Sequence, residues 1–268
     1  MRAATRRALL SRPAAAAAAA FVPTDLASLT AWWDFSDATT LYTDAGSTLV
    51  SGDGDLIYQP NDKSGGGLHL TQATSGARPT YKTAIQNGLS VARLAGLHWW
   101  TRASMTGSDM FGANTGTLFF VQKQNGATAH NTTISLECTT STNYVHVHAT
   151  YENVIYFDFG SAAGGGRISV AQPSGWDDAW RITCLHRDGA NGKIYVDGGT
   201  AILSTTFSDD FDDTASGTLH VGQKSDSNKF GGDFGELITF DAALSTADLN
   251  AVGDYLAAKW SLTWNTVS

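Results

Sequence analysis

His146 and His148 alternate with Val145 and Val147, so in an extended chain both imidazoles project from one face. Two histidines at that spacing can hold zinc if a third ligand arrives from elsewhere; without one they form the polar outer face of a sheet. Carboxylates crowd into Asp209-Asp210-Phe211-Asp212-Asp213, where oxygen ligands stand close enough for calcium or simply solvate a loop. Asp53 and Asp55 offer the same two readings. Aromatic faces beside acidic groups are how proteins hold sugar rings and their hydroxyls. Trp99-Trp100 and Trp176-Asp177-Asp178-Ala179-Trp180 supply both next to turns. The candidate carbohydrate contacts are therefore Trp99, Trp100, Trp176 and Asp177.

Catalytic patterns are missing from the sequence. No G-x-S-x-G nucleophile elbow occurs. Glutamate occurs only at positions 137, 152 and 236, and alternation puts Ile238 and Phe240 on the same side of the chain as Glu236. That setting suits a satisfied structural carboxylate rather than one of a catalytic pair. No catalytic residue is assigned, and the expectation is a protein that is not an enzyme. Cys138 and Cys184 sit inside strand-like runs, as small buried hydrophobes or as partners in a disulfide.

The elements that must position these groups are short strands. Charged residues make up 16% of the chain and Gly occurs 28 times, with the acidic side almost entirely Asp, a composition of strands joined by turns. Strand-length runs are predicted at 117–122, 144–149, 154–159, 181–186, 193–197 and 218–221, separated by Gly, Asn, Asp or Ser clusters. Asp188-Gly189-Ala190-Asn191-Gly192 has hairpin chemistry, with Asn191-Gly192 expected to take positive φ. Residues 42–78 are rich in turn residues and read as irregular structure. Near the end, Phe234 to Phe240 is a strand whose alternation puts Phe234, Glu236, Ile238 and Phe240 on one side and Leu237 and Thr239 on the other. Ser245 follows as an N-cap, with Asp248 at the third helical position and Leu244 and Leu249 as a hydrophobic staple. The helix carries Leu249, Val252 and Leu256 on one stripe. A lone short helix needs a large sheet to lie on.

Residues 1–22 do not match the rest. They carry Arg2, Arg6, Arg7 and Arg12 and then seven alanines from Ala14 to Ala20. Such a segment serves as a twin-arginine export signal, as a basic arm that orders on neighbouring subunits, or as a tail. The division expected is an arm over 1–22 and one domain over 23–268. A net charge of -8 argues against nucleic acid as a partner.

Leu29-Thr30-Ala31-Trp32-Trp33-Asp34-Phe35-Ser36-Asp37, then Asn61-Asp62-Lys63-Ser64-Gly65-Gly66-Gly67-Leu68-His69-Leu70, then Ala77-Arg78-Pro79-Thr80-Tyr81, resemble the opening of concanavalin A-like, laminin-G-like jelly rolls. Asn87-Gly88, the run from Trp180 to Gly198, Gly217 to Gly222 and the closing strand and helix extend the resemblance over roughly 24–262. It implies an all-β, two-sheet antiparallel jelly-roll sandwich with one short C-terminal helix and an extended N-terminal arm. Hydrolases of this fold carry E-x-D-x-E on one strand, which this sequence lacks. Some laminin-G-like relatives bind calcium, the one cofactor the resemblance suggests. Leu97-His98-Trp99-Trp100 stands where relatives often show an acidic pair.

Such domains are frequent in bacteriophage virion proteins and bacterial surface proteins. The expected function is a non-enzymatic virion protein, a decoration, capsid-associated or tail-associated module. It would be tethered to capsid or tail subunits through Arg2, Arg6, Arg7 and Arg12, touch host surface glycans, and have no membrane span. The alternative is a secreted bacterial carbohydrate-binding protein with an N-terminal export signal.

Overall fold

The structure is a computed structural model that describes residues 20–126, 130–138, 144–225 and 227–268. The expected anchors Arg2, Arg6, Arg7 and Arg12 lie outside the described residues. Nearly all regular structure is strand, in two large antiparallel sheets packed face to face and a two-residue pair, Leu41–Tyr42 with Gln59–Pro60. Among the described residues one α-helix, Thr246–Trp260, covers the far side of the larger sheet. No helix among the described residues is long and apolar enough to cross a membrane. The expected two-sheet sandwich with a short C-terminal helix is what the chain forms.

The large sheet runs in the order Leu203–Thr206, Asn191–Val196, Trp180–Asp188, Thr115–Gln124, Gly231–Phe240, Leu89–Ala95 and Thr80–Gln86. It is covered on both faces, which explains the unbroken apolar run Leu118-Phe119-Phe120-Val121. Leu118 and Phe120 enter the core between the sheets, whereas Phe119 and Val121 pack under the helix.

Gly231–Phe240 is the central strand, and all ten of its residues are buried. Along one edge it pairs with Thr115–Gln124; along the other it is shared, first by Leu89–Ala95 and then by Leu29–Asp34. A bulge between Phe234 and Glu236 breaks the expected alternation. Phe234 joins Leu237 in the core between the sheets, while Glu236, Ile238 and Phe240 face the helix. Gly235 sits at the bulge, where a Cβ would stand 2.8 Å from the Trp260 ring. The sequence reading placed Phe234 on the wrong face because alternation holds only while the ladder is regular.

The helix begins as its residues predict. Ser245 Oγ accepts the Asp248 amide at 3.2 Å, and Leu249, Val252, Leu256 and Trp260 form the buried stripe. The 188–192 hairpin differs in detail. Asp188 pairs with Asn191, so the turn is Gly189-Ala190, and Gly189 takes the positive φ of 59°. Gly192 lies within the strand instead, where a Cβ would meet the Phe207 ring at 2.5 Å.

The small sheet runs in the order Arg167–Ala171, Val154–Gly160, Tyr144–Tyr151, His130–Cys138, Ser216–Val221 and Trp100–Thr106. Val145, Val147, Ala149, Ile155, Phe157 and Phe159 point into the core. Alternation then sends Tyr144, His146, His148, Tyr156 and Asp158 to the outer face. Cys138 is in this sheet and Cys184 lies under the helix on the other; the two form no disulfide.

Candidate binding site on the outer face of the small sheet

One row of side chains crosses the outer face of the small sheet. Register places Arg167 opposite Asp158, Asp158 opposite His146, His146 opposite Ser135, and Ser135 opposite His220. In the next row Tyr156 stands opposite His148. The hairpin joining these strands turns through Glu152 and Asn153, both at positive φ, the signature of a tight two-residue turn. From Tyr151 opposite Val154, an unbroken ladder would place His148 opposite Phe157, a core residue. A bulge between Val154 and Tyr156 shifts the register by one residue and brings both histidines level with outer-face partners.

The Arg167 guanidinium holds Asp158 with Nε and Nη2 each 2.6 Å from a carboxylate oxygen. The same group lies 4.7 Å over the Tyr156 ring. His148 meets Tyr151 and Tyr156 edge-on, with ring centres 5.8 and 6.1 Å away, and shares a 2.9 Å hydrogen bond between Nδ1 and Thr132 Oγ1. His146 stacks on Tyr144 at 4.1 Å. His148, Tyr151, Tyr156, Arg167, Lys224 and Asn228 line a cleft of about 300 Å³. The wall is therefore two phenol rings, an imidazole and two cations.

Burial sets the charge state of this face. Desolvation, helped by the positive charge of Lys224, lowers His146 to about 2; desolvation with Lys224 and Arg167 lowers His148 to about 4. Both imidazoles are neutral near pH 7. Burial raises the Asp158 carboxyl even though Arg167 pulls the other way. His146 is 2% exposed, and among the described residues neither of its ring nitrogens has a hydrogen-bond partner. Its nearest acidic oxygens are Glu137 Oε1, 3.6 Å from Nε2, and Asp158 Oδ2, 3.8 Å from Nδ1. Each unmet buried nitrogen costs about 1–3 kcal/mol.

The tryptophans singled out by sequence are elsewhere. Trp100 is fully buried, stacked 5.1 Å from Phe35 with its indole donating to the Ile57 carbonyl. Trp176 is buried too, and its indole donates to Gln124 Oε1. Neither ring has a face open to a sugar, so as direct contacts these two are corrected to core residues. Their neighbours in sequence mark turns, but the indoles fold inward because their area is worth more in the core. Asp177 is exposed and accepts from Gln124 and Gln172. Trp99 is half-buried beneath the Lys229 ammonium, 4.3 Å from its ring centre. Trp176 and Asp177 meet at Gln124, whereas Trp99 is held by Ala77 and Gln72.

Several of the remaining carboxylates are engaged. Glu236 accepts from Trp32 Nε1 at 2.6 Å and Tyr255 Oη at 2.9 Å on one oxygen, and from Lys259 Nζ at 2.8 Å and Trp260 Nε1 at 3.0 Å on the other. Burial and the nearby Asp34 charge still raise its pKa. Asp34 is held low despite its burial, because Lys259 and Lys63 lie 2.7 and 2.9 Å away. This network ties the helix to the sheet. In the 209–213 cluster, Asp209 accepts the Ser161 amide, Asp210 an Asn114 amide, and Asp212 the Thr214 amide and hydroxyl. Among the described residues, only His146, His148 and Asp158 form a group of three with metal-ligand atoms close together.

No protein family and no curated protein sequence matches the chain. Solved structures do. Domain 4 of AbnA, a GH43 extracellular arabinanase from Geobacillus stearothermophilus, solved in complex with arabinotriose, is similar at a TM-score of 0.59 and 17% identity, over 84% of this chain and 97% of that domain. The binding domain of botulinum neurotoxin serotype G is similar at 0.51 and 14%, over 74% of this chain and 52% of the other. The binding domain of botulinum neurotoxin DC in complex with rat synaptotagmin II gives 0.52 and 12%, over 87% and 52%. The chain thus spans nearly all of the arabinanase domain and about half of each toxin chain. At these identities the likeness establishes a shared β-sandwich fold.

Proposed function

We propose that this chain is a non-enzymatic glycan-binding β-sandwich module that takes sugar in the cleft lined by His148, Tyr151 and Tyr156. The observation that carries the reading is the pair of tyrosine rings edge-on to a neutral imidazole around a cleft of about 300 Å³. Phenol faces stack on sugar rings, and Arg167, Lys224 and Asn228 at the rim offer donors to hydroxyl and acidic groups. Support for the ligand class comes from the similar arabinanase domain, which was solved with an oligosaccharide. The test is an array of neutral and acidic oligosaccharides probed with the full chain. Retention of one glycan class, lost in Tyr156→Ala, supports the module; an array blank at every sugar overturns it.

The Arg- and Ala-rich composition of residues 1–22 favours a second element of the reading, a place on a virus particle. There the segment tethers the module to capsid or tail subunits, and the cleft touches host glycans. The competing location is outside a bacterial cell after export. Mass spectrometry of the natural N-terminus separates them: cleavage near Ala20 favours export, and an intact start favours the tether. Particles that incorporate a protein lacking residues 1–22 at normal occupancy overturn the tether.

A further inference from the structure

We propose that His146, His148 and Asp158 form a binding site for one zinc-like transition-metal ion at the base of the outer-face cleft. The two histidines come from one strand and the carboxylate from the strand paired with it, and the three ligand atoms lie within 4.8 Å of one another. Two imidazoles and a carboxylate are the donor set of catalytic and open zinc sites, whereas calcium and magnesium take oxygen ligands almost alone.

An independent observation is the state of His146. An enclosed imidazole with neither nitrogen bonded among the described residues is a costly way to fill a sheet face, and side chains in that state call for a missing partner. The partner is supplied if Nδ1, which faces Asp158 Oδ2, binds the ion and Nε2–H turns to Glu137 Oε1. Glu137 is itself steadied by the Ser135 hydroxyl at 3.2 Å. His148 is held the same way, Nδ1 against Thr132 Oγ1, with Nε2 as the ligating nitrogen. Metal-bound imidazoles are ordinarily fixed by such outer partners.

Arg167 uses one lone pair on each Asp158 oxygen and leaves another on Oδ2 for the ion. Asp158 and Glu137 balance the nearby charges of Arg167 and Lys224, so the site is close to neutral before an ion arrives. Coordination at about 2.0–2.2 Å needs the three ligand atoms to close by about 1 Å, a rotation of the two rings within the face. Three protein ligands leave one position for water or a ligand, and His148 also borders the cleft.

The test is calorimetric titration of chelator-stripped, full-length protein with zinc chloride, repeated with cobalt(II) and read by visible absorption. One zinc per chain, tetrahedral cobalt bands and a raised melting temperature are expected. His146→Gln and His148→Gln should each weaken zinc at least tenfold. Glu137→Gln changes a partly exposed side chain outside the ligand set and should weaken zinc several-fold in a protein that melts normally. No heat of binding, or an affinity unchanged in Glu137→Gln and in whichever histidine variants fold, overturns the site. The titration contains no sugar, so its failure leaves the glycan reading standing, and a blank glycan array leaves the metal site standing.

Discussion

Arg167 grips Asp158 across the outermost strand pair of the small sheet, with two 2.6 Å hydrogen bonds to a carboxylate that is wholly buried while the guanidinium reaches solvent. The pair closes one side of the cleft and holds the cation over Tyr156. A buried carboxylate is tolerated only while its partner stays.

Replacing Arg167 with Gln therefore leaves Asp158 enclosed without its counter-charge. The expected loss is about 2 kcal/mol, below the 3–5 kcal/mol of a fully buried pair because Arg167 itself is partly solvated. Urea unfolding followed by tryptophan fluorescence checks it; an unchanged midpoint would show that the pair contributes nothing.

Tyr156→Ala removes one phenol wall of the cleft and leaves the strand's inward residues, Ile155 and Phe157, in place. Glycan affinity should fall about fivefold or more, as expected for losing about 1 kcal/mol of ring contact. Melting should change little, and binding by the variant equal to the parent would place the sugar elsewhere.

Glu236→Gln tests the opposite face. Four donors converge on this carboxylate, and an amide nitrogen in the same place would face donors with a donor. The helix should loosen and stability fall by about 3–5 kcal/mol. Calorimetry would read it as a lower melting temperature; a variant as stable as the parent would remove the network from the account of how the helix docks.

Acid should destabilise the metal-free protein through the two buried histidines. Their pKa values fall from 6.5 in the unfolded chain to about 4 for His148 and about 2 for His146. Between those values the unfolded chain binds protons that the folded one does not, so stability decreases as pH drops below about 6.5. His148 alone accounts for about 3 kcal/mol by pH 4, set by its burial and by the facing charges of Lys224, Arg167 and His130. Asp158, raised by burial, works the other way at the acid end. Melting temperatures of chelator-treated protein from pH 7.5 to 4.5 should fall, and fall less in His148→Gln; a flat profile contradicts the buried neutral state.

Local chemistry carried the fold. Ser245 and Asp248 announced the helix, the run from Thr117 to Gln122 announced a strand, and Val145, Val147 and the two histidines announced a face by alternation alone. Each signal lies within a few residues of the structure it specifies, so one stretch of chain is enough to read it. Turn chemistry was less exact: Gly189, not Asn191-Gly192, bends the 188–191 hairpin.

The site depended on what no single stretch contains. Asp158 faces His146 only because a one-residue bulge shifts the register between their strands, and Phe234 leaves the face of Glu236 because of another at Gly235. A slip of one residue exchanges the two faces of a strand, and nothing in the alternation of the strand itself reveals it. Trp100 and Trp176 were likewise decided by packing, which draws large rings inward wherever the second sheet offers a wall. The sequence determined that two imidazoles would share a face; the pairing of distant strands decided which carboxylate and which tyrosines they would meet there.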